Sequence, residues 1–235
     1  MQYDMEAFTE SSATESQVRS RGSLTTMAVN RLRDLIVTGE LKPGQRISER
    51  SILEGQKDLS RTPVREALKI LESEGLIQLK PNRGAFITKL SIDHIDAEIE
   101  LLIGLEGIAA VLSCNRITDA EIAEISRLHQ AMIGSFENEN LMLYFETNQR
   151  IHQLIVDGAH NPALSRIYKA ECLHIRRYRY AGNLEHTRWH NATREHEQIL
   201  AALMNRDGLL LRELLRAHHT NGWAVTRELL RAELE

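Results

Sequence analysis

The chain has 235 residues, enough for two modest domains that each bury a core. Its 42% hydrophobic and 26% charged residues are ordinary for a soluble globular protein, and a formal net charge of −4 argues, taken alone, against a nucleic-acid binder. No apolar run reaches membrane-span length, the acidic start Met1–Glu6 has no signal-peptide core, and two cysteines, Cys114 and Cys172, cannot build a disulfide framework, so a cytoplasmic protein with no membrane partner is expected.

Residues 1–23 are rich in Ser, Thr, Glu and Gln without hydrophobic periodicity, which predicts a disordered tail. A first helix is expected from Leu24 to Thr38, with Met27, Leu32, Leu35 and Ile36 inward and Gly39 as its stop. Pro43-Gly44 marks a turn, and a short second helix follows over 49–56. Ser60 is a candidate N-cap for a third helix, with Pro63 in its first turn, where the missing N–H does no harm. Val64, Ala67, Leu68 and Leu71 fall on one face of that helix, and Gly75 ends it. Arg61, Thr62 and Arg65 remain at its exposed leading end. Strands near 76–80 and 85–88 should pair as a hairpin with Lys80, Asn82, Arg83 and Gly84 at its tip. A helix whose first turn carries Arg and Thr presents donors to base edges and phosphates in a DNA major groove, and the basic hairpin would be a wing. The charge distribution agrees: residues 24–91 carry 12 Lys/Arg against 8 Asp/Glu, a net of +4, whereas the chain from Ile92 on is acidic.

From Ser91 onward the chain reads as helix throughout, with no run of period-two alternation, so 24–90 and 91–235 are the expected domains and the second should be an all-α antiparallel bundle. Ser91 caps a helix carrying Ile95, Ile99, Leu102, Leu105, Ile108, Ala109 and Leu112 inward. Thr118 and Glu121 have capping-box spacing. Further helices are expected near 140–157, 161–181, 188–206 and 208–233. Asn148 and His152 share a helix face, while His196 and His218 flank the turn at Asp207-Gly208 at similar distances. Four side chains on three helices can therefore converge, and imidazoles suit Zn²⁺, Ni²⁺ and similar ions. His219 competes with His218, because adjacent helical residues point about 100° apart and one of the two faces the site. His186 and His190 read as a surface loop or helix start, and His94, His129, His160 and His174 have no evident partners.

Ser60–Leu68 followed by Asn82–Ile87, with Gly39–Gly44 and Ile47–Arg50 upstream, resembles the winged helix-turn-helix of the GntR family of bacterial transcriptional regulators. The segment before Ser60 is one residue longer than the family pattern, and its turn reads Lys57-Asp58-Leu59. Asn148-x3-His152, Ala159–Leu164, Arg194–Leu203 and Arg216–His218 resemble the FCD effector domain of the FadR subfamily. The resemblance implies a mainly α protein: three helices plus a small β-hairpin, then the bundle. It implies a homodimer on a palindromic double-stranded operator, with repression the commoner outcome. Arg61, Thr62 and Arg65 would contact bases and phosphates, Arg50 phosphate, and Asn82, Arg83 and Gly84 the backbone or minor groove. It further implies a divalent metal, Zn²⁺ foremost, on Asn148, His152, His196 and His218, holding a small organic acid effector. Family spacing favours His218 over His219, which is then expected exposed or at an edge. Asn148 stands where Asp is commoner, removing one negative charge, and Ile103 stands where Arg is frequent.

Among Arg176, Arg177 and Arg179, interleaved with Tyr178 and Tyr180, Arg176 is the candidate for an effector carboxylate, against a solvated helix face. A metal-free bundle that senses an acyl chain or acyl-CoA is the alternative reading. Glu171-x2-His174 has the spacing of di-iron bundles, but that architecture needs two such motifs and two more Glu. With no phosphate loop and no Ser-His-Asp arrangement, the chain is not expected to be an enzyme, which leaves a bundle metalloenzyme as a remote alternative.

Overall fold

The computed structural model describes residues 7–53 and 60–232, with side chains described from Gly22 on apart from Ser51. The extra residue before Ser60 and the Lys57-Asp58-Leu59 turn lie outside the described residues, as does the start of the tail. The chain divides into two compact units, Met1–Lys89 and Leu90–Glu235.

The first unit runs α1 (Ala7–Val37), β1 (Arg46–Ile47), α2 (Glu49–Leu53), α3 (Arg61–Ser73), β2 (Ile77–Lys80) and β3 (Gly84–Ile87). Helix α1 starts at Ala7, so residues 7–23 are helical rather than a disordered tail. No proline interrupts them, and extending a nucleated helix fixes one residue per added hydrogen bond. Val64, Ala67, Leu68 and Leu71 are buried against Ala28, Val29, Leu32 and Ile36 of α1, as the spacing requires. Met27 instead points outward, 46% exposed, and Thr25 takes the inward position, donating to Glu66 at 2.9 Å. Arg33 adds a second α1–α3 tie through both oxygens of Glu74. Ser60 holds the N-cap position of α3 without a side-chain cap bond. Gly75, at φ 71°, takes the left-handed conformation that stops α3.

The expected hairpin is a three-stranded antiparallel sheet of order β1-β3-β2, in which Lys80 pairs with Gly84 and Arg46 with Phe86. A two-residue strand carries too little alternation to be seen in sequence. Asn82 and Gly84, at φ 58° and 92°, turn the tip.

The second unit runs α4 (Ile92–Arg116), α5 (Asp119–Glu137), α6 (Leu141–Asp157), α7 (Pro162–His174), α8 (Arg176–Ala181), a 3-10 turn, α9 (His186–Met204) and α10 (Gly208–Ala232). Ser91 caps α4, and Thr118 and Glu121 form a full capping box on α5. The single helix expected over 161–181 is two, α7 and α8, because Ile175 leaves helical geometry at φ −104°, ψ 9°. On α4 the buried face runs Ile95, Ile99, Leu102, Glu106, Ala109 and Ser113, so a carboxylate occupies a core position and Ile108, expected inward, is 55% exposed.

Gly158 ends α6 with ordinary helical φ, so its role is close approach: a Cβ there would lie 2.7 Å from Ile117 Cδ1 and 3.2 Å from its Cβ. Gly158→Ala is expected to destabilise the bundle by about 1–3 kcal/mol, through overpacking. Denaturant unfolding should show a lower midpoint; an unchanged one would mean that the α4–α5 corner yields freely.

Candidate metal centre and nucleic-acid interface

Asn148 and His152 on α6, His196 on α9 and His218 on α10 meet inside the bundle, all buried. His152, His196 and His218 bring one ring nitrogen each within 4.8 Å of one another, and their ring centroids are 4.7–5.1 Å apart. Glu106 Oε2 lies 3.2 Å from His152 Nδ1 and Glu195 Oε2 2.7 Å from His218 Nδ1. Each carboxylate thereby fixes the ring and turns its other nitrogen away. His152 Nε2 and His196 Nδ1 are buried with no hydrogen-bond partner among the described residues. Leaving a buried polar atom unsatisfied costs about 1–3 kcal/mol, so a ligand is the economical explanation for His152 Nε2. Burial, followed by the neighbouring imidazoles, holds His196 and His218 well below the ordinary histidine range. Neutral imidazoles are the ligating form, so the donor set fits a borderline divalent ion. The Asn148 amide nitrogen sits 3.0 Å from His196 Nε2. Exchanging the two ends of the amide would bring its oxygen to the same place.

His219 differs from expectation: it is 5% exposed and bonds Glu106 Oε2 at 2.7 Å. Helix α10 packs against both α4 and α9, so two adjacent positions both meet walls of the core. Tyr168 also donates to Glu106, giving that carboxylate three donors from three helices. Burial opposes its charge, yet His152 and His219 hold it well below the usual carboxylate range. Ile103, where a cation was absent by sequence, packs half-buried in the neighbouring apolar cluster.

A cavity of about 50 Å³ adjoins this centre, lined in part by Asn148, His218, Tyr178, Arg179, Arg188 and Trp223. Arg176 does not line it; its guanidinium is 3.6 Å from Glu146 and lies over the Phe145 ring. The arginine that faces the cavity from a buried position is Arg188, 6% exposed, bonded to Glu195 at 2.8 Å and to the His218 carbonyl at 3.2 Å. Its Nη1 is buried with no partner among the described residues. The sequence does not mark Glu106, Glu195 or Arg188 as part of the centre, and it offers His219 only as a rival to His218. The only available signals were a Glu at a core-face position of α4 and a Glu directly before His196.

Of the histidines without evident partners, His94 and His160 pair with Glu98 and Glu121 at 3.2 Å, and His174 joins a cluster with Glu98 and Glu171. His129 is buried with no hydrogen-bond partner among the described residues. His186 and His190 sit exposed in the first turns of α9.

In the first unit, Arg61, Thr62 and Arg65 are exposed on the leading turns of α3, Arg50 on α2, and Asn82, Arg83 and Gly84 at the β2–β3 tip. Arg65 Nε pairs with Glu49 Oε1 at 2.9 Å, and the exposed Arg46 guanidinium packs beside Gly84.

Residues 98–221 match the FCD domain, and residues 24–87 match the bacterial regulatory proteins of the gntR family. The Nta operon transcriptional regulator of Aminobacter aminovorans is 30% identical across 71% of this chain and 75% of its own length. The HTH-type transcriptional repressor RspR of Escherichia coli (strain K12) is 28% identical across 80% of this chain and 82% of its own. Among solved structures, E. coli McbR/YncC superposes with a TM-score of 0.76 at 22% identity, over 88% of this chain and 98% of that one, a likeness of fold. The chain belongs to the gntR family and carries its FCD domain: it is a DNA-binding transcriptional regulator.

Because His196 and His218 are neutral when folded and gain protons on unfolding in acid, the unfolded state binds more protons below the ordinary histidine value of 6.5. Metal-stripped protein should therefore lose stability as pH falls from about 7 to about 5. His196→Gln should flatten that slope in denaturant titrations. A slope that is already flat in the wild type would place these imidazoles in contact with water.

Proposed function

We propose that this member of the gntR family is a homodimeric repressor whose bundle holds a divalent metal, Zn²⁺ foremost, and that the metal captures a small organic acid. The observation that carries this reading is the convergence of one ring nitrogen each from the buried His152, His196 and His218, with His152 Nε2 lacking a hydrogen-bond partner among the described residues. His152, His196 and His218 would hold the ion, with Asn148 as the fourth donor. When bound, the ion acts as a Lewis acid and gives a carboxylate an anchoring point. Arg188, rather than Arg176, supplies the second anchor, since its Nη1 lies buried at the cavity and guanidinium recognises carboxylate by paired hydrogen bonds. Glu106 and Glu195 orient the ligands and keep the imidazoles in one tautomer.

Cavity size favours this over an acyl-chain sensor. About 50 Å³ is the space of roughly three or four waters, and its lining includes two arginines and two asparagines. A long apolar tail needs a longer apolar tunnel. The dimer is supported by exposed Leu101 and Ile108, seven positions apart on α4, which offer an apolar stripe to a second copy. Repression is supported by the name of one relative.

On DNA, Arg61, Thr62 and Arg65 enter the major groove, Arg50 meets phosphate, and Asn82, Arg83 and Gly84 meet the backbone or the minor groove. The exposure of all these residues on α2, α3 and the wing supports the assignment. A two-fold dimer then reads a palindrome. The effector acts by binding one state of the dimer better than the other, which is the source of any change in operator affinity.

Arg65→Ala is expected to weaken operator binding by about ten- to a hundredfold at fixed salt, with bundle stability unchanged. An unchanged gel-shift isotherm would remove α3 from the interface. In a thermal-shift screen of small carboxylates with and without Zn²⁺, hits should require the metal. Arg188→Gln should lose those hits while retaining Zn²⁺, and hits that survive in stripped protein would contradict metal capture.

A further inference from the structure

The second unit contains another convergence of metal-binding side chains that shares no residue with the three-histidine centre. His94 and Glu98 are i, i+4 on α4, and Glu171 and His174 are i, i+3 on α7, so each pair projects from one helix face. His94 Nε2 lies 3.2 Å from Glu98 Oε1. Glu98, Glu171 and His174 bring one donor atom each within 4.8 Å of one another. The Glu98 side chain is 14% exposed, and its Oε2 is buried without a good hydrogen bond among the described residues.

Two facing carboxylates cannot both be ionised at low cost unless a proton or a cation lies between them. Among the described residues, neither Glu98 nor Glu171 forms an ion pair with lysine or arginine. A divalent ion would satisfy both carboxylates and the His174 ring together. A mixed nitrogen–oxygen set selects a first-row transition ion over Mg²⁺ or Ca²⁺, which favour oxygen alone.

The geometry points to a second divalent-cation site, made by Glu98, Glu171 and His174 with His94 at its rim, that takes an ion such as Zn²⁺ and ties α4 to α7. A di-iron centre needs two Glu-x2-His motifs, whereas a single ion needs one such cluster.

The test is Zn²⁺ loading of the stripped full-length chain, read by elemental analysis and by thermal shift. Two zinc ions per chain are expected in wild type, one in His196→Ala, one in His174→Ala, and none in the double variant. In the His196→Ala background, Zn²⁺ should still raise the melting temperature, and His174→Ala should abolish that rise. Glu171→Gln, which preserves shape, should weaken the ion retained in His196→Ala by roughly tenfold or more, since even supporting side chains at metal sites cost that much. One zinc in wild type that is kept in His196→Ala and lost in His174→Ala would uphold this site while removing the central one. Zinc content and affinity that neither His174→Ala nor Glu171→Gln alters would overturn the proposal.

Discussion

The Glu106 carboxylate sets the terms for the second unit. It is 1% exposed on the core face of α4, and an ion so placed costs several kcal/mol unless its oxygens are satisfied. Three donors meet it: His152 from α6, Tyr168 from α7 and His219 from α10. Four helices must therefore assemble to a common point before the charge is tolerated. The same contacts decide chemistry, because the bond to His152 Nδ1 leaves Nε2 aimed away from Glu106. Glu195 does this for His218, and Arg188 compensates Glu195. Two of the three imidazoles, His152 and His218, are thus held by carboxylates that are themselves paired, which is how a flexible histidine becomes a preorganised donor.

The first unit obeys the opposite rule. Its core is apolar and ordinary, and its function lies in what it leaves outside. Val64, Ala67, Leu68 and Leu71 bury one face of α3 and so commit Arg61, Thr62 and Arg65 to solvent. The Arg65–Glu49 pair lies at the surface, and surface pairs contribute little, so a phosphate could take the guanidinium over. Affinity for DNA there would rest on charge and salt. Any link between the two is a coupling free energy between an exposed reader and a buried sensor, and it runs in both directions: an effector that weakens DNA binding is itself bound less well on DNA.

Much of this was legible in the residues. The period of α3, its stop at Gly75, the capping box at Thr118 and the near-symmetric placing of His196 and His218 about one turn are local patterns, and each survives in the structure. What escaped depends on three-dimensional neighbours. Arg176 and Arg188 are equally plausible as text, but the break at Ile175 re-aims the first, while α9 buries the second at the cavity. His219 looked peripheral because adjacency on one helix suggests that one residue must face away; α10 is walled on two sides, so both face in. Glu106 hid in an apolar helix, where a lone carboxylate reads as surface. The two-residue strand β1 has too few residues to show a period.

On the proposed function, three imidazoles of one chain hold one metal ion. X-ray absorption at the zinc edge, on stripped protein reloaded with a single equivalent, tests it most directly. A first shell of nitrogen and oxygen donors near about 2.0–2.1 Å is expected, with the outer-shell scattering of three imidazoles, a pattern that His196→Ala should abolish. A sulfur-containing shell, an oxygen-only shell, or a spectrum that His196→Ala leaves unchanged would contradict it.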